Sequence, residues 1–368
     1  MGLLGLSGCG SPSSASVEMS SQTELVKTGS MELQYAENFA VDYYEDGYKM
    51  LTTLPDSKRY LIVPEGQPVP MGLDEDVSIL QEPLQNIYLV ASGVMDMFAS
   101  VDAVDQIRFS GQKQENWYIQ TAKDAMAAGD MIYAGKYSKP DYELLVSEGC
   151  DLAIENRMIT HSPEVVEMLQ SFGIPVMIEY SSYEQHPLGK VEWVKFFGAL
   201  TGKEAEAEEA FAEQTEILEK VERGEKTGKT IAFFYVTSNG LIQVRQSTDY
   251  IPKLIELAGG RYIFEDLEDS GSGRSTLNMQ VEDFYAGAKD ADILIYNSSI
   301  DGGVTTLDEL IGKCNILKDF KTLQEGQVYC TTNDMYQQSM AIGYLLQDMH
   351  TVLTDDDTAK LRYLFLLQ

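Results

Sequence analysis

Two stretches of this chain, one on each side of its middle, are built alike, and that repeat constrains the fold more than any other feature. Residues 141–156 read as a helix, then Cys150-Asp151, then the apolar strand Leu152-Ala153-Ile154-Glu155 and the polar loop Asn156-Arg157. Residues 282–299 repeat the order with Ala291-Asp292, the strand Ile293-Leu294-Ile295-Tyr296 and the loop Asn297-Ser298-Ser299. Each copy is followed by a second helix and another strand, at 163–172 and 174–179 in the first and at 306–311 and 327–331 in the second. Short apolar strands alternating with helices require crossover connections, which stack the strands in parallel with helices on both faces. The expected fold class is α/β, with two Rossmann-like lobes.

One long helix is expected to join them. In residues 201–224, Thr201 and Glu204 have the spacing of a capping box. Ala207, Ala210, Phe211, Leu218 and Val221 then recur at helical spacing, interrupted by Gln214, while glutamates coat the other faces and Gly224 suits the stop. At about 1.5 Å per residue this element is roughly 30 Å long, the width of a small domain. The expected organisation is residues 1–30 as a flexible leader, 31–200 as an N-terminal α/β lobe, 201–228 as the connecting helix and 229–368 as a C-terminal α/β lobe. Within the first lobe, 31–66 is β-like, with Phe39, Val41 and Tyr43 alternating and Tyr60-Leu61-Ile62-Val63 ending at Pro64.

The length of 368 residues favours about two domains. Acids outnumber bases 58 to 27, for a net charge of -31, which excludes the basic face that nucleic-acid binding needs. An anionic ligand would have to be held by a few locally placed cations. No run of 18 apolar residues occurs to span a bilayer as a helix. No GxSxG, HExxH, Walker A or GxGxxG pattern is present, and His161, His186 and His350 sit in unrelated contexts, so neither an enzyme, nor a cofactor, nor a bare metal site is expected. Cys150 reads as a small core residue, and spacing leaves a Cys314–Cys330 pairing open.

In parallel sheets ligands bind beyond the carboxyl ends of the strands, where the loops converge. The loops so placed carry Arg108, Lys113, Trp117, Tyr118, Lys136, Tyr137, Asn156, Arg157, Tyr180 and Tyr183 in the first lobe, and Arg245, Arg274, Tyr296, Asn297 and Tyr336 in the second. Half of the eight arginines therefore lie in or beside one inferred cleft between the lobes. Aromatic rings add broad rigid contact area for a bulky, partly apolar ligand. Trp193 reads as core.

The chain resembles the class III substrate-binding proteins of bacterial ABC importers, which include siderophore-, haem- and vitamin B12-binding proteins. The carriers are Leu89-Val90-Ala91-Ser92; Asp151-Leu152-Ala153-Ile154; Phe172-Gly173-Ile174-Pro175-Val176; Phe197-Gly198-Ala199-Leu200-Thr201-Gly202-Lys203; Leu257-Ala258-Gly259-Gly260; and Leu323-Gln324-Glu325-Gly326-Gln327-Val328-Tyr329. The resemblance implies two lobes joined by one backbone helix, a ligand cleft between them and a monomer that delivers its solute to permease subunits. It also implies one acid on each lobe for docking to the permease: Asp96 in the first, and in the second Glu256, because the position nearest the family's acid is Lys253. Leu6-Ser7-Gly8-Cys9 resembles a lipobox, with Cys9 lipidated and the polar linker of residues 10–16 following, although no basic region precedes it. That implies an extracytoplasmic lipoprotein anchored to the membrane at the cell surface or in the periplasm. The ligand implied is an iron complex, with ferric siderophore ahead of haem and cobalamin; a surface α/β enzyme and an adhesion module are the competing classes.

Overall fold

The computed structural model describes residues 25–267, 275–298, 303–356 and 358–368. It contains two separate Rossmann-like sheets and, ahead of them, a third. That first sheet is a five-stranded meander in the order β1 (Lys27–Ser30), β2 (Phe39–Tyr44), β3 (Lys49–Thr53), β4 (Lys58–Val63) and β5 (Val77–Gln81), antiparallel except for the last pair.

The second sheet is wholly parallel. Its strands β6 (Ile87–Leu89), β7 (Ile107–Ser110), β8 (Ile132–Tyr133), β11 (Leu152–Asn156) and β12 (Val176–Glu179) run in the order β12-β11-β6-β7-β8, while β9 (Gly135–Lys136) and β10 (Lys139–Pro140) form a small hairpin beside it. Helices α1 (Val94–Ser100), α2 (Gln120–Ala128), α3 (Tyr142–Ser147) and α4 (Pro163–Ser171) make the crossovers.

The chain then passes through α5 (Pro187–Thr201) and α6 (Glu204–Glu222) into the third sheet. There β13 (Thr230–Val236), β14 (Ile242–Arg245), β15 (Arg261–Tyr262), β16 (Thr276–Met279), β17 (Ile293–Tyr296), β18 (Val328–Thr331) and β19 (Leu364–Leu366) are ordered β16-β14-β13-β17-β18-β19, with β15 beside β13. The centre β13-β17-β18 is parallel, as the repeat predicts, and the β13–β14, β14–β16 and β18–β19 pairs are antiparallel. Helices α7 (Tyr250–Leu257), α8 (Val281–Ala288), α9 (Leu307–Lys313), α10 (Lys321–Glu325) and α11 (Ile342–Thr354) complete the fold.

The repeat extends to hydrogen bonding. Asp151 Oδ2 accepts from the backbone N–H of Gln85 at 3.0 Å and of Asn86 at 2.9 Å, fixing the start of the neighbouring strand β6. Asp292 Oδ2 accepts from Thr230 N at 2.8 Å and Thr230 Oγ1 at 3.0 Å at the start of β13. Although burial opposes ionisation there, the Thr230 and Lys321 bonds hold the Asp292 carboxyl below its usual range. Alternation then sorts the strand residues: Leu152 and Ile154, like Ile293 and Ile295, face the large core shared with α5 and α6, while Ala153, like Leu294 and Tyr296, faces a satellite core.

The expected connecting helix is present as α6, but it starts at Glu204 without the expected capping box. Gly202, at φ 70°, closes α5 in the left-handed conformation, and Thr201 Oγ1 donates to Phe197 O at 2.7 Å within α5 instead of capping α6. α6 buries Ala207, Phe211, Gln214, Leu218 and Val221, so the stripe includes its polar interruption. Gln214 Oε1 accepts from Gly343 N of α11 at 3.0 Å, which satisfies a buried amide where an apolar side chain would not. α5 lies so close to α6 that a Cβ on Gly198 would fall 2.5 Å from the Ala207 Cβ. Cys314 and Cys330 are not joined in a disulfide.

Two predictions follow from this packing. Gly198→Val should destabilise the fold by about 1–3 kcal/mol through overpacking, read by chemical or thermal unfolding. Glu155 on β11 is fully buried, neither of its carboxylate oxygens has a hydrogen-bond partner, and burial pushes its carboxyl from 4.5 up to about 8. The folded state thus holds a proton that the unfolded chain has lost, so this group's contribution falls as pH rises from about 4.5 to about 8 and is constant above. Glu155→Gln should remove that slope, giving a melting temperature higher than wild type at the alkaline end and similar at the acidic end.

Candidate functional site

The carboxyl ends of β6, β11, β12 and β18 converge with the end of β14 on a cleft between the two lobes, where a cavity of about 320 Å³ opens to solvent. The first lobe contributes Ser92 and Gly93 after β6, Asn156 to Met158 after β11, and Glu179 and Tyr183 at β12. The second contributes Arg245, Tyr250, Ser275 and the segment holding Met335, Tyr336 and Ser339. Lys190 of α5 completes the lining.

Among the described residues three cations thus line one cavity, and each has an aromatic neighbour. The Arg157 guanidinium lies 4.6 Å from the centre of the Tyr183 ring, the Lys190 ammonium 4.7 Å from that of Tyr250, and Arg245 5.8 Å from that of Phe233. Asn156 caps the turn that carries Arg157, its Oδ1 accepting from Met158 N at 2.8 Å. Arg245 is anchored through Asp249 at 3.4 Å, and Asp249 in turn accepts from Ile251 N at 2.9 Å at the start of α7. The buried acid of the cavity, Glu179, takes the Ser181 N–H at 2.9 Å and hydroxyl at 2.6 Å, and burial pushes its carboxyl up against the pull of those bonds.

Of the residues expected here, Asn156, Arg157, Tyr183, Arg245 and Tyr336 line the cavity. Tyr118 stands at its rim, edge-on to Tyr336 with ring centroids 6.3 Å apart. The others are placed elsewhere for identifiable reasons. Arg108 is spent on Glu148 and on the carbonyls of Gly129 and Asp130. Lys113 is exposed beside Glu115, and Lys136 and Tyr137 belong to the β9–β10 hairpin outside the cavity. Trp117 is buried in the core, its Nε1 donating to Ser110 Oγ at 3.1 Å. Tyr180 and Tyr296 are buried, Tyr296 because strand alternation turns it away from the cleft, and Asn297 is buried behind Arg245. Arg274 and Cys9 lie outside the described residues. Trp193 is core, as expected.

Asp96 does not face outward. Its Oδ2 accepts from Met340 N at 2.7 Å, across the lobe interface, and burial pushes the carboxyl up to about 6 against that bond. Nearby, the fully buried Gln337 ties the same second-lobe segment to the first lobe: its Oε1 accepts from Tyr118 N at 2.7 Å, and its Nε2 donates to Asn116 O at 2.8 Å and Tyr336 Oη at 2.9 Å. Glu256 is exposed and paired with Lys253 at 2.8 Å.

Reading loops alone missed Lys190, Glu179 and Tyr250, which belong to regular elements. A signal for Lys190 was present: it lies in a helix whose other positions read almost wholly apolar, where a charge has to have a specific reason.

The geometry can be set beside known proteins. No protein-family model matches the chain. Two proteins of Methanocaldococcus jannaschii, both named as uncharacterized lipoproteins, are 24% identical to it, one over 351 residues covering 87% of this chain and 81% of that protein, the other over 322 residues covering 84% and 79%. Among solved structures, a periplasmic haem-binding protein of Vibrio cholerae is 14% identical with a TM-score of 0.57, covering 73% of this chain and 98% of that one. An Fe3+-hydroxamate transport protein of Saccharomonospora viridis is 16% identical at TM-score 0.57, covering 73% and 93%. A possible iron-binding solute-binding protein of Staphylococcus epidermidis is 16% identical at 0.56, covering 73% and 98%. This is the fold of the two-lobed class III solute-binding proteins. Among the described residues no helix is long and apolar enough to cross a membrane.

Gln337→Ala would leave the Tyr118 N–H and the Asn116 carbonyl without their partner, at a cost of about 1–3 kcal/mol. Hydrogen exchange should then rise in residues 112–118 while the β11–β12 pair stays protected.

Proposed function

We propose that this chain is an extracytoplasmic solute-binding lipoprotein of an ABC importer that captures a ferric siderophore in the interlobe cleft and delivers it to the permease as a monomer without chemical turnover. The observation that carries the reading is the joint placement of Arg157, Lys190 and Arg245 with Tyr183 and Tyr336 around one cavity in a protein of net charge -31. In so acidic a chain, affinity for an anionic chelate has to come from such local contacts, and guanidinium groups meet chelate oxygens with charge-assisted, planar hydrogen bonds. The cavity of about 320 Å³ is at the small end of ligand sites, which suits a compact chelate better than a corrinoid. The solved relatives described as binding haem, hydroxamate complexes or iron support an iron ligand, and the lipoprotein names of the archaeal relatives support lipidation at Cys9. Glu256, exposed on α7, is the acid offered to the permease from the second lobe.

Titration calorimetry with a ferric tris-catecholate, a ferric trihydroxamate, haem and cyanocobalamin tests this. The double variant Arg157→Ala/Arg245→Ala should lose several kcal/mol toward the anionic ferric chelate, at about 1.5–3 kcal/mol per charged hydrogen bond, and nothing toward cobalamin. Lys113→Gln and Lys136→Gln, outside the cavity, should bind as wild type. Tight cobalamin binding that survives the double substitution, without binding of any ferric chelate, would overturn the siderophore assignment.

A further inference from the structure

Helix α5 is buried along its whole length from Pro187 to Leu200, and three charged side chains go down with it: Lys190, Glu192 and Lys195. A buried charge is tolerated when it is paired or hydrogen-bonded, and two of the three are. Glu192 accepts from the backbone N–H groups of Gln34, Tyr35 and Ala36 at 2.8–3.1 Å. Lys195 reaches Glu208 at 2.8 Å and Glu192 at 3.6 Å.

Lys190 is the exception. It is 7% exposed, and that remnant belongs to the cavity it lines. Among the described residues its ammonium has no hydrogen-bond acceptor and no carboxylate within ion-pair distance; its one close contact is the face of Tyr250. Asp96, Glu179 and Asp249 feel its charge from beyond ion-pair distance; Asp96 Oδ2 is engaged by Met340 N, Glu179 Oε2 by Ser181, and the two Asp249 oxygens by Ile251 N and Arg245. Its three N–H donors face the open cavity beside two guanidinium groups, and no protein acceptor among the described residues takes them.

We infer that Lys190 is the seat of an oxyanion carried by the ligand, with Arg157 and Arg245 as flanking cations. This rests on the binding-protein reading and narrows it: the solute presents a carboxylate or catecholate oxygen to α5, and a neutral chelate is bound without using this contact. It also gives the ligand a contact to the helix between the lobes, in addition to the loops of each lobe.

The test uses the full chain, with citrate as a metal-free carboxylate probe and a ferric tris-catecholate and a neutral ferric trihydroxamate as chelate probes. Citrate binding is read by NMR shifts of cleft amides, the chelates by fluorescence quenching. In wild type, citrate should shift residues 156–158 and 335–339; Lys190→Met should weaken citrate and the tris-catecholate at least tenfold and leave any trihydroxamate affinity within twofold. Lys190→Gln serves as a second neutral variant should the methionine substitution unfold the chain, and Lys190→Arg should recover part of the loss. Absence of cleft shifts with citrate, or equal citrate affinity in wild type and Lys190→Met, overturns the oxyanion seat, whatever the chelates do. A citrate site that depends on Lys190 while no ferric chelate binds overturns the iron reading and leaves the seat standing. Which of citrate and catecholate depends more on Lys190 distinguishes the two oxyanion sources.

Discussion

The structure depends on how one helix is allowed to disappear into the protein. A helix apolar on every face can be buried by packing alone, but α5 carries three charges inside, and each sets a constraint on what lies opposite. Glu192, together with Glu184 at the head of α5, collects the backbone N–H groups of residues 34–38, so the link between β1 and β2 is nailed to the helix. The N-terminal sheet is thereby joined to the region between the lobes and shares their core rather than hanging as an appendage. Lys195 does the equivalent for α6, pairing with Glu208 while its ammonium lies 4.5 Å from the centre of the Phe211 ring. The third charge, Lys190, has no acceptor among the described residues and lines the cleft.

The cleft's electrostatics then follow from division of labour among acids and bases. Most basic side chains, such as Arg59, Arg108 and Arg223, are committed to nearby acids. Arg245 keeps a carboxylate partner too, but that partner is fixed by the cap of α7, so the guanidinium is oriented rather than neutralised out of use. A chain this acidic repels anions at long range, and screening at physiological salt confines that repulsion to about 8 Å. An anion that reaches the cleft meets a short-range field of opposite sign, with aromatic faces that dry the contact and strengthen it.

The parts of this architecture that were legible in the sequence are those governed by local pattern. The repeated Asp-strand-Asn unit was visible because each copy obeys the same alternation and because Asp151 and Asp292 perform the same task, clamping the start of the adjacent strand. Cleft residues on turns, such as Arg157 and Tyr183, were found for the same reason: strand ends are readable. What was not legible depended on which of two equally patterned faces a side chain takes and on partners far away in sequence. Tyr296 stands in the second copy where Glu155 stands in the first; both face satellite packing, and nothing local distinguishes a buried ring from a cleft ring. Arg108 was drawn off by Glu148 and two carbonyls, a competition that only the fold reveals. The Thr201–Glu204 spacing fitted a capping box, yet Thr201 ends the preceding helix, which Gly202 closes, so α6 starts at Glu204 without that cap.

One part of the second lobe's lining is bonded directly to the first lobe. Asp96 and Gln337 both grip the segment around residues 335–340, so the second-lobe residues Met335, Tyr336 and Ser339 are held against the first lobe, and their part of the lining is shared property of both lobes. Arg245, Tyr250 and Ser275 reach the same cavity from β14, α7 and the start of β16. Moving the 335–340 segment away from the first lobe would cost several part-buried hydrogen bonds. Lys190 sits on a helix that packs against both α1 and α7. An acceptor bound at Lys190 and Arg245 together would tie α5 to β14 of the second lobe across the same cavity.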